Sequence, residues 1–161
     1  MREIGHKQAL LIIDVQPSFS PPPDLIAGIA KLLPLMPSAA TVERHDEARV
    51  PFVGQLGWAP GLADECLLKA DRVFIKHGYL PTSETIDHLR GLNARRILVC
   101  GLQADTCVLA AGFALFDAGL HPTLIADLMG GSSLDRSGAL GLRLWKHHFG
   151  AVIETHRELL G

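Results

Sequence analysis

The sequence predicts an α/β protein, a three-layer α-β-α sandwich around a mostly parallel sheet of about six strands. Its short apolar runs are continuous rather than alternating, which is typical of parallel strands covered on both faces. Helical patterns separate most of these runs and favour right-handed crossovers. A length of 161 residues, with 48% hydrophobic and 20% charged residues, indicates one domain over residues 1–161.

Helix signals between the apolar runs place the elements in order. The first helix begins at a Pro-Asp pair and should end or kink at Pro34. The next begins at Thr82 or Ser83, either of which would cap it. Two later helices are expected to stop at Gly119 and Gly150, because glycine tolerates the left-handed conformation that ends a helix. The predicted strands are 9–15, 50–55, 72–76, 96–101, 122–127 and 151–155.

The segment 36–71 gives mixed signals. Within it, "LADECLLKA" (62–70) is predicted to be helical and to carry Cys66. Cys100 lies inside an apolar strand. Free cysteine is among the most buried residue types, so both of these thiols are interpreted as inert core residues.

Composition excludes several classes of function. A net charge of −2 gives no reason to expect nucleic acid or an anionic membrane as a partner. No apolar run approaches the roughly 18 residues of a membrane helix, and the run after the N-terminus is too short for a signal peptide. Three cysteines form no disulfide framework. These features favour a cytoplasmic protein whose cysteines are reduced.

Three reactive side chains follow predicted strands. Asp14 ends the first strand, Lys76 ends the third, and Cys107 comes one short turn after the fourth. In an open parallel sheet, ligands bind beyond the carboxyl ends of the strands. Taken singly, each residue has a structural interpretation: a turn former, a solvated charge or a core thiol. Their joint placement on one rim favours a functional site.

The position of Cys107 favours nucleophilic chemistry. In the first turn of a helix, the dipole and the unpaired N–H groups favour a thiolate, and such positions lower a cysteine pKa from ~8.5 to roughly 3.5–7.5. Lys76 would supply a further positive charge. Asp14 could accept the thiol proton and deliver it to a leaving amine. We therefore expect a thiol with a lowered pKa.

Four further residues are candidates for the wall of a substrate pocket. Trp58 and Tyr79 are aromatic, as small-molecule sites commonly are, although Trp58 could instead anchor its loop or an oligomer contact. His77 follows Lys76 at the rim and faces either the substrate or away from it. Phe19 completes the set. None of the eight histidines stands at ligand spacing from carboxylates or cysteines, so neither a metal nor a cofactor is expected.

Three collinear pieces resemble the isochorismatase-like cysteine hydrolases, a superfamily that includes nicotinamidases, N-carbamoylsarcosine amidases and isochorismatases. The first is "ALLIIDVQPSF", with an Asp-x-Gln-x-x-Phe form, and the second is "RVFIKHGYLPTSETIDHL". The third, "ILVCGLQADTCVLAAGFALFDAGLHPTLIAD", is similar to the family's Gly-x-x-(Thr/Ala)-(Asp/Asn)-x-Cys-Val signature and its surroundings. Together the three pieces span residues 9–127.

The resemblance implies a Rossmann-like sheet and a catalytic triad of Asp14, Lys76 and Cys107. It also implies a cis peptide between Leu102 and Gln103, with the backbone N–H groups of Gln103 and Cys107 forming an oxyanion hole. Relatives commonly assemble as dimers or larger, so a homo-oligomer is expected.

The departures from the family bear on the substrate. Nicotinamidases carry an Asp-x-His-x-x-His metal site after the second strand, whereas "VGQLGWAPGLADE" (53–65), which begins within the predicted second strand and continues beyond it, contains no histidine. Zinc or iron, and classical nicotinamidase activity, are therefore not expected. Isochorismatases proper can lack the cysteine, and its presence favours acyl or amide chemistry. The segment between strands two and three, which helps to form the pocket in relatives, is short.

Three functional hypotheses follow. The leading one is a metal-independent cysteine hydrolase that cleaves a small amide or related C–N substrate through a thioester on Cys107. The second is hydrolysis of an isochorismate-like ether, with Asp14 as the acid. The third is a non-catalytic relative that binds a small molecule or responds to oxidation through an exposed thiol.

Overall fold

A six-stranded, wholly parallel sheet forms the centre of the protein, in the order β3-β2-β1-β4-β5-β6. The computed structural model describes residues 7–161. The strands are β1 (Gln8–Ile13), β2 (Ser38–Glu43), β3 (Arg72–Lys76), β4 (Arg96–Leu102), β5 (Pro122–Gly130) and β6 (Val152–Ile153). The helices are α1 (Pro23–Leu32), α2 (Phe52–Leu56), α3 (Ser83–Gly91), α4 (Cys107–Asp117) and α5 (Ala139–His148). Short 3-10 segments cover Pro17–Phe19, Leu33–Leu35 and His156–Leu159.

Helices pack against both faces of the sheet, which confirms the predicted three-layer α/β fold. Successive residues of β1 alternate between the two apolar cores: Leu11 belongs to one together with Val108 of α4, and Leu10 belongs to the other together with Ile29 of α1. All of these side chains are fully buried. Burial on both faces explains why the strand sequence is continuously apolar.

Most predicted helix ends are confirmed. The α1 helix gives way at Leu33 to a 3-10 turn that contains Pro34. The side chain of Thr82 accepts a hydrogen bond from the backbone N–H of Thr85 and so caps α3. Gly119 and Gly150, with φ of 74° and 78°, follow the ends of α4 and α5. These positions need the left-handed conformation that glycine adopts without strain.

The prediction for the second strand is wrong. Residues 50–55 contain the start of the short helix α2, and the second strand is Ser38–Glu43, whose six residues are all buried. This strand is rich in alanine and polar residues, so it has no apolar run to reveal it. Its polar groups are buried because distant residues satisfy them: the backbone N–H of Asp71 donates to Ser38 Oγ at 3.0 Å.

The predicted helix at 62–70 is also absent. This segment is irregular, and the backbone N–H of Leu67 donates to the carbonyl oxygen of Val15 at 2.9 Å, where a helix would need a partner within the segment. Cys66 is accordingly only half-buried, while Cys100 is fully buried as expected.

Gly101 brings the end of β4 unusually close to β1. Its φ is 113°, and a Cβ at this position would stand 2.1 Å from the carbonyl oxygen of Ile13. Only glycine permits this approach, which sets the path of the chain from β4 into the turn before α4. None of the helices within residues 7–161 is both long and apolar enough to cross a membrane.

Candidate active site

Four side chains from four elements meet at the carboxyl edge of the sheet. Asp14 follows β1, Glu43 ends β2, Lys76 ends β3 and Cys107 begins α4. Lys76 Nζ lies 2.8 Å from Asp14 Oδ2 and 3.6 Å from Glu43 Oε2. Cys107 Sγ donates to Glu43 Oε2 at 3.4 Å. The structure thus brings together the three predicted residues and adds Glu43.

Asp14 is held in place on both sides. It adopts a left-handed backbone conformation with φ of 51° directly after β1. Its Oδ1 accepts a hydrogen bond from Thr41 Oγ1 at 2.8 Å, and its Oδ2 forms an ion pair with Lys76. Both oxygens of this carboxylate are therefore engaged, one by a residue of β2 and one by a residue of β3.

Lys76 is a buried cation that anchors the cluster. Only 1% of the residue is exposed, and its ammonium also donates to the carbonyl oxygen of Gly78 at 2.8 Å. Burial by itself lowers the pKa of Lys76, but the negative charges of Asp14 and Glu43, and that of the Cys107 sulfur when it ionises, outweigh it and leave the pKa above its ordinary value. The side chain therefore stays charged throughout the neutral range.

Glu43 was missed by sequence reasoning because its strand was missed. It pairs in register with Lys76 across β2 and β3, and it is 1% exposed. Burial raises the pKa of Glu43 to about 7, with the Lys76 charge opposing this shift and the Asp14 charge adding to it. The signal available in the sequence was an acidic residue at the end of "SAATVE".

Gln16 fixes the main chain at Glu43. Gln16 Nε2 donates to the Glu43 carbonyl oxygen at 2.7 Å, and the Glu43 N–H donates to Gln16 Oε1 at 2.8 Å. The Asp-x-Gln pattern therefore has a structural basis: the aspartate enters the site, and the glutamine two residues later clamps the next strand.

The expected lowering of the Cys107 pKa is wrong for this arrangement. Cys107 is the first residue of α4 and is 6% exposed. Burial raises its pKa well above the ordinary value, and the charges of Asp14 and Glu43 add to this, against the opposing charge of Lys76. Two carboxylates and one ammonium already give the cluster an excess of negative charge, so the helix terminus does not stabilise a second excess charge on sulfur. The resting site holds a thiol.

The backbone beside the thiol offers hydrogen-bond donors. The Leu102–Gln103 peptide is cis, as the resemblance implies. The N–H groups of Gln103 and Cys107 donate to no other group within residues 7–161. The buried Thr106 Oγ1 likewise has no partner in this part of the chain. An oxyanion formed beside Cys107 therefore has free donors near it.

A cavity of about 420 Å³ opens onto Cys107 and Glu43. Asp14 and Lys76 lie behind them and do not line it. Phe19, Trp58 and Tyr79, three of the predicted pocket residues, form part of its wall.

The short helix α2 supports this aromatic wall. Its buried Phe52 packs at 5.2 Å from the ring of Trp58 and at 5.5 Å from that of Tyr79, measured between ring centroids. Of the two orientations expected for His77, the structure shows the one directed away from the cavity: its Nδ1 contacts the Arg44 carbonyl oxygen at 2.9 Å, and the residue does not line the cavity.

The acidic cluster already holds a cation of its own. Within residues 7–161, Asp14, Glu43 and Cys107 are the one group of three side chains placed closely enough to share a metal ion. The Lys76 ammonium lies beside both carboxylates, so the donor set fits this internal ammonium. The absence of a metal stays a prediction.

The segment that follows the observed β2 differs from the one expected to correspond to the nicotinamidase metal motif. The observed β2 is followed by Arg44, His45 and, three residues further, Ala48. With Glu43, the segment keeps a Glu-x-His pair and lacks the second histidine. His45 Nε2 lies 3.3 Å from Glu47 Oε2, and His45 is not part of the cluster of three.

Comparison with known proteins agrees with this geometry. The sequence model of the isochorismatase domain matches residues 8–157. The chain belongs to the isochorismatase family. No curated protein matches its sequence.

Solved structures resemble this isochorismatase-family protein over nearly its whole length. N-carbamoylsarcosine amidase from Thermoplasma acidophilum is 18% identical, with a TM-score of 0.79 over 96% of this chain and 99% of that one. Pyrazinamidase/nicotinamidase from Streptococcus mutans is 17% identical, with a TM-score of 0.74 over 91% and 99%. MAR1 ribonuclease from Caenorhabditis elegans is 18% identical, with a TM-score of 0.72 over 99% and 82%. At these identities the likeness shows the fold, and family membership places the protein among hydrolases.

Proposed function

We propose that this protein is a metal-independent cysteine hydrolase that cleaves a small amide or related C–N substrate. The observation that carries the proposal is the position of Cys107: it lines the cavity, its thiol donates to a carboxylate, and its N–H and that of Gln103, another lining residue, have no other acceptor within residues 7–161. A nucleophile, a proton acceptor and an oxyanion site are the parts that acyl transfer needs.

The reaction proceeds through a thioester. Cys107 sulfur attacks the substrate carbonyl while its proton passes to a carboxylate of the cluster, a role that the resemblance gives to Asp14. The N–H groups of Gln103 and Cys107 bind the oxyanion. The C–N bond then breaks, and the carboxylic acid returns the proton to the leaving amine. Water cleaves the thioester and restores the thiol.

Lys76 supports this chemistry through its fixed charge. Its ammonium offsets one of the two buried carboxylates throughout the cycle. Without it, two negative charges would face each other in a buried site, and each proton transfer would meet a higher barrier. Lys76 is therefore assigned to the triad as an electrostatic partner.

The names of similar structures and the wall of the cavity guide the choice of substrates. Two of the similar proteins are named as amidases of small molecules, N-carbamoylsarcosine and pyrazinamide or nicotinamide. Arg136 is the one cationic side chain among the described lining residues, and Ser132 and Ser133 line the same cavity. A screen should therefore pair neutral amides with analogues that carry a carboxylate.

Ammonia release from such an amide set tests the function. Wild type should turn over at least one amide, and Cys107→Ala should lose this activity while keeping its circular dichroism spectrum. Cys66→Ala is the matched control, because Cys66 is half-buried and does not line the cavity. An active Cys107→Ala protein would overturn the proposal.

A second candidate is ether hydrolysis of an isochorismate-like compound. It is favoured by Glu43, a carboxyl group with a pKa of about 7 that faces the cavity and could protonate an ether oxygen near neutral pH. This reaction needs no thiol. Turnover of a chorismate-type vinyl ether by Cys107→Ala protein would therefore decide in its favour.

We also propose that the protein self-associates. The edge strand β3 exposes Val73 and Ile75, which are 44% and 37% accessible, and apolar edges of this kind are commonly covered by another chain. Light scattering after gel filtration should give a mass that is a multiple of 17.4 kDa. A monomeric mass at high protein concentration would contradict this.

A further inference from the structure

The carboxylate that bonds to the nucleophile is Glu43. Its Oε2 accepts a hydrogen bond from the Cys107 thiol at 3.4 Å, and Asp14 places a second carboxylate oxygen within 4.8 Å of the same sulfur. Glu43 also lines the cavity, and Asp14 does not. A group that exchanges protons with both the sulfur and a bound leaving group must reach both, and Glu43 meets this condition.

The two carboxylates also differ in how they are held. Both oxygens of Asp14 are engaged, one by Thr41 and one by the Lys76 ammonium at 2.8 Å. In contrast, Glu43 Oε1 is buried without a partner within residues 7–161. An unsatisfied buried carboxylate oxygen is costly, and such atoms call for an explanation beyond packing.

We propose that Glu43 is a second catalytic carboxylate, which takes the proton of the Cys107 thiol and returns it to the leaving group, while Asp14 holds Lys76 in place. The inference rests on the proposed hydrolase function and revises its proton-transfer step. As the sulfur–carbon bond forms, the thiol proton moves to Glu43. As the carbon–nitrogen bond breaks, it moves to the amine. Water then attacks the thioester and gives one proton to Glu43, which passes to sulfur as the sulfur–carbon bond breaks.

The surroundings of Glu43 suit such a group. Lys76 and Asp14 face it from β3 and the end of β1, and Cys107 faces it from α4. Tyr79 lies near enough that the charge of Glu43 contributes, after burial and Cys107, to raising the Tyr79 pKa. Burial holds the pKa of Glu43 at about 7, so acid and base forms are both populated near neutral pH. A general acid–base group is most effective when its pKa lies near the working pH.

The first part of the test needs no substrate. Iodoacetamide alkylation of Cys107 is followed by mass spectrometry from pH 5 to pH 10. Wild type should show a step in rate near pH 7, well below the ionisation of the thiol itself, because the thiol and Glu43 share protons. Glu43→Gln should lack this step, and Asp14→Asn should keep it. Its absence in wild type, or its presence in Glu43→Gln, would overturn the proposal.

The second part separates proton delivery from positioning. For the amide found in the screen, Glu43→Gln should reduce kcat/KM by about 10²–10⁴-fold, the usual range for general acid–base catalysis. Acetylation of Cys107 by 4-nitrophenyl acetate, whose leaving group needs no proton, should slow by a smaller factor than amide cleavage, because the ester reaction loses only the uptake of the thiol proton and amide cleavage also loses its return. Asp14→Asn should slow both reactions to a similar extent.

The pattern of results identifies which statement fails. Equal losses on amide and ester in Glu43→Gln, or a selective loss on the amide in Asp14→Asn, would refute the assignment to Glu43. If the alkylation step near pH 7 responds as expected but no amide is cleaved, the hydrolase function is refuted, and proton sharing between Glu43 and Cys107 is still supported.

Discussion

Replacing Glu43 with glutamine should stabilise the protein, in a way that depends on pH. In the unfolded chain a glutamate titrates near its ordinary pKa of 4.5, and in the folded protein the pKa of Glu43 is about 7. Between these values the folded state binds the extra proton. Its stability therefore falls as the pH rises through this window, and ionised Glu43 destabilises the fold above it.

The magnitude follows from the pKa difference. A difference of about 2.5 units, at 1.36 kcal/mol per unit, gives a loss of about 3 kcal/mol between pH 4.5 and pH 7. The amide that replaces the carboxyl group in the Glu43→Gln variant has no charge to bury and keeps a similar shape.

Urea denaturation at pH 4.5 and pH 8 measures this difference. Relative to wild type, Glu43→Gln should gain about 3 kcal/mol more stability at pH 8 than at pH 4.5. Glu65→Gln is the control, because Glu65 is exposed and should show no such change. If the difference between Glu43→Gln and wild type were independent of pH, or had the opposite sign, the assigned burial and ionisation of Glu43 would be wrong.

Three further substitutions test the structure around the site. Lys76→Met should lower the free energy of unfolding by about 3–5 kcal/mol, because it leaves buried carboxylates without their cation, and this loss should grow with pH. Urea denaturation measures the loss, with Lys69→Met, at an exposed lysine, as the control. Gln16→Ala should cost about 2–3 kcal/mol by removing two buried hydrogen bonds at the end of β2, and an unfolding free energy equal to that of wild type would contradict the clamp. Gly101→Ala should prevent accumulation of folded protein, because its Cβ would stand 2.1 Å from a backbone oxygen. Gly91→Ala, whose Cβ would meet open space, is the control and should fold. Equal soluble yields of the two variants would contradict the close approach at Gly101.

The order of strands and helices was largely predictable because the apolar runs record burial on both faces of the sheet. The run at 9–15 is such a case, since its residues lie between α1 on one side and α4 on the other. The same reasoning missed Ser38–Glu43, whose burial depends on partners elsewhere in the chain: Asp71 for Ser38 and Asp14 for Thr41.

The wrong prediction for β2 also changed the predicted site. Without that strand, Glu43 was not expected at the sheet edge, and residues 53–65 rather than those after Glu43 were compared with the nicotinamidase metal motif. The ionisation of Cys107 was misjudged for the same reason. A helix terminus and Lys76 favour the thiolate, but Glu43 and Asp14 face the same sulfur and reverse the balance.

The sequence by itself determined the α/β fold, the family resemblance and the meeting of Asp14, Lys76 and Cys107, because parallel strands bring their carboxyl ends to one edge whatever their partners are. Only the tertiary structure decided which groups face each other there. In the folded protein Glu43 contacts Cys107, His77 contacts the Arg44 carbonyl oxygen outside the cavity, and burial with nearby carboxylates raises the pKa of Cys107 and keeps it a thiol. Charge balance in a buried cluster depends on distances of a few ångströms between residues far apart in the chain, and local sequence patterns do not encode those distances.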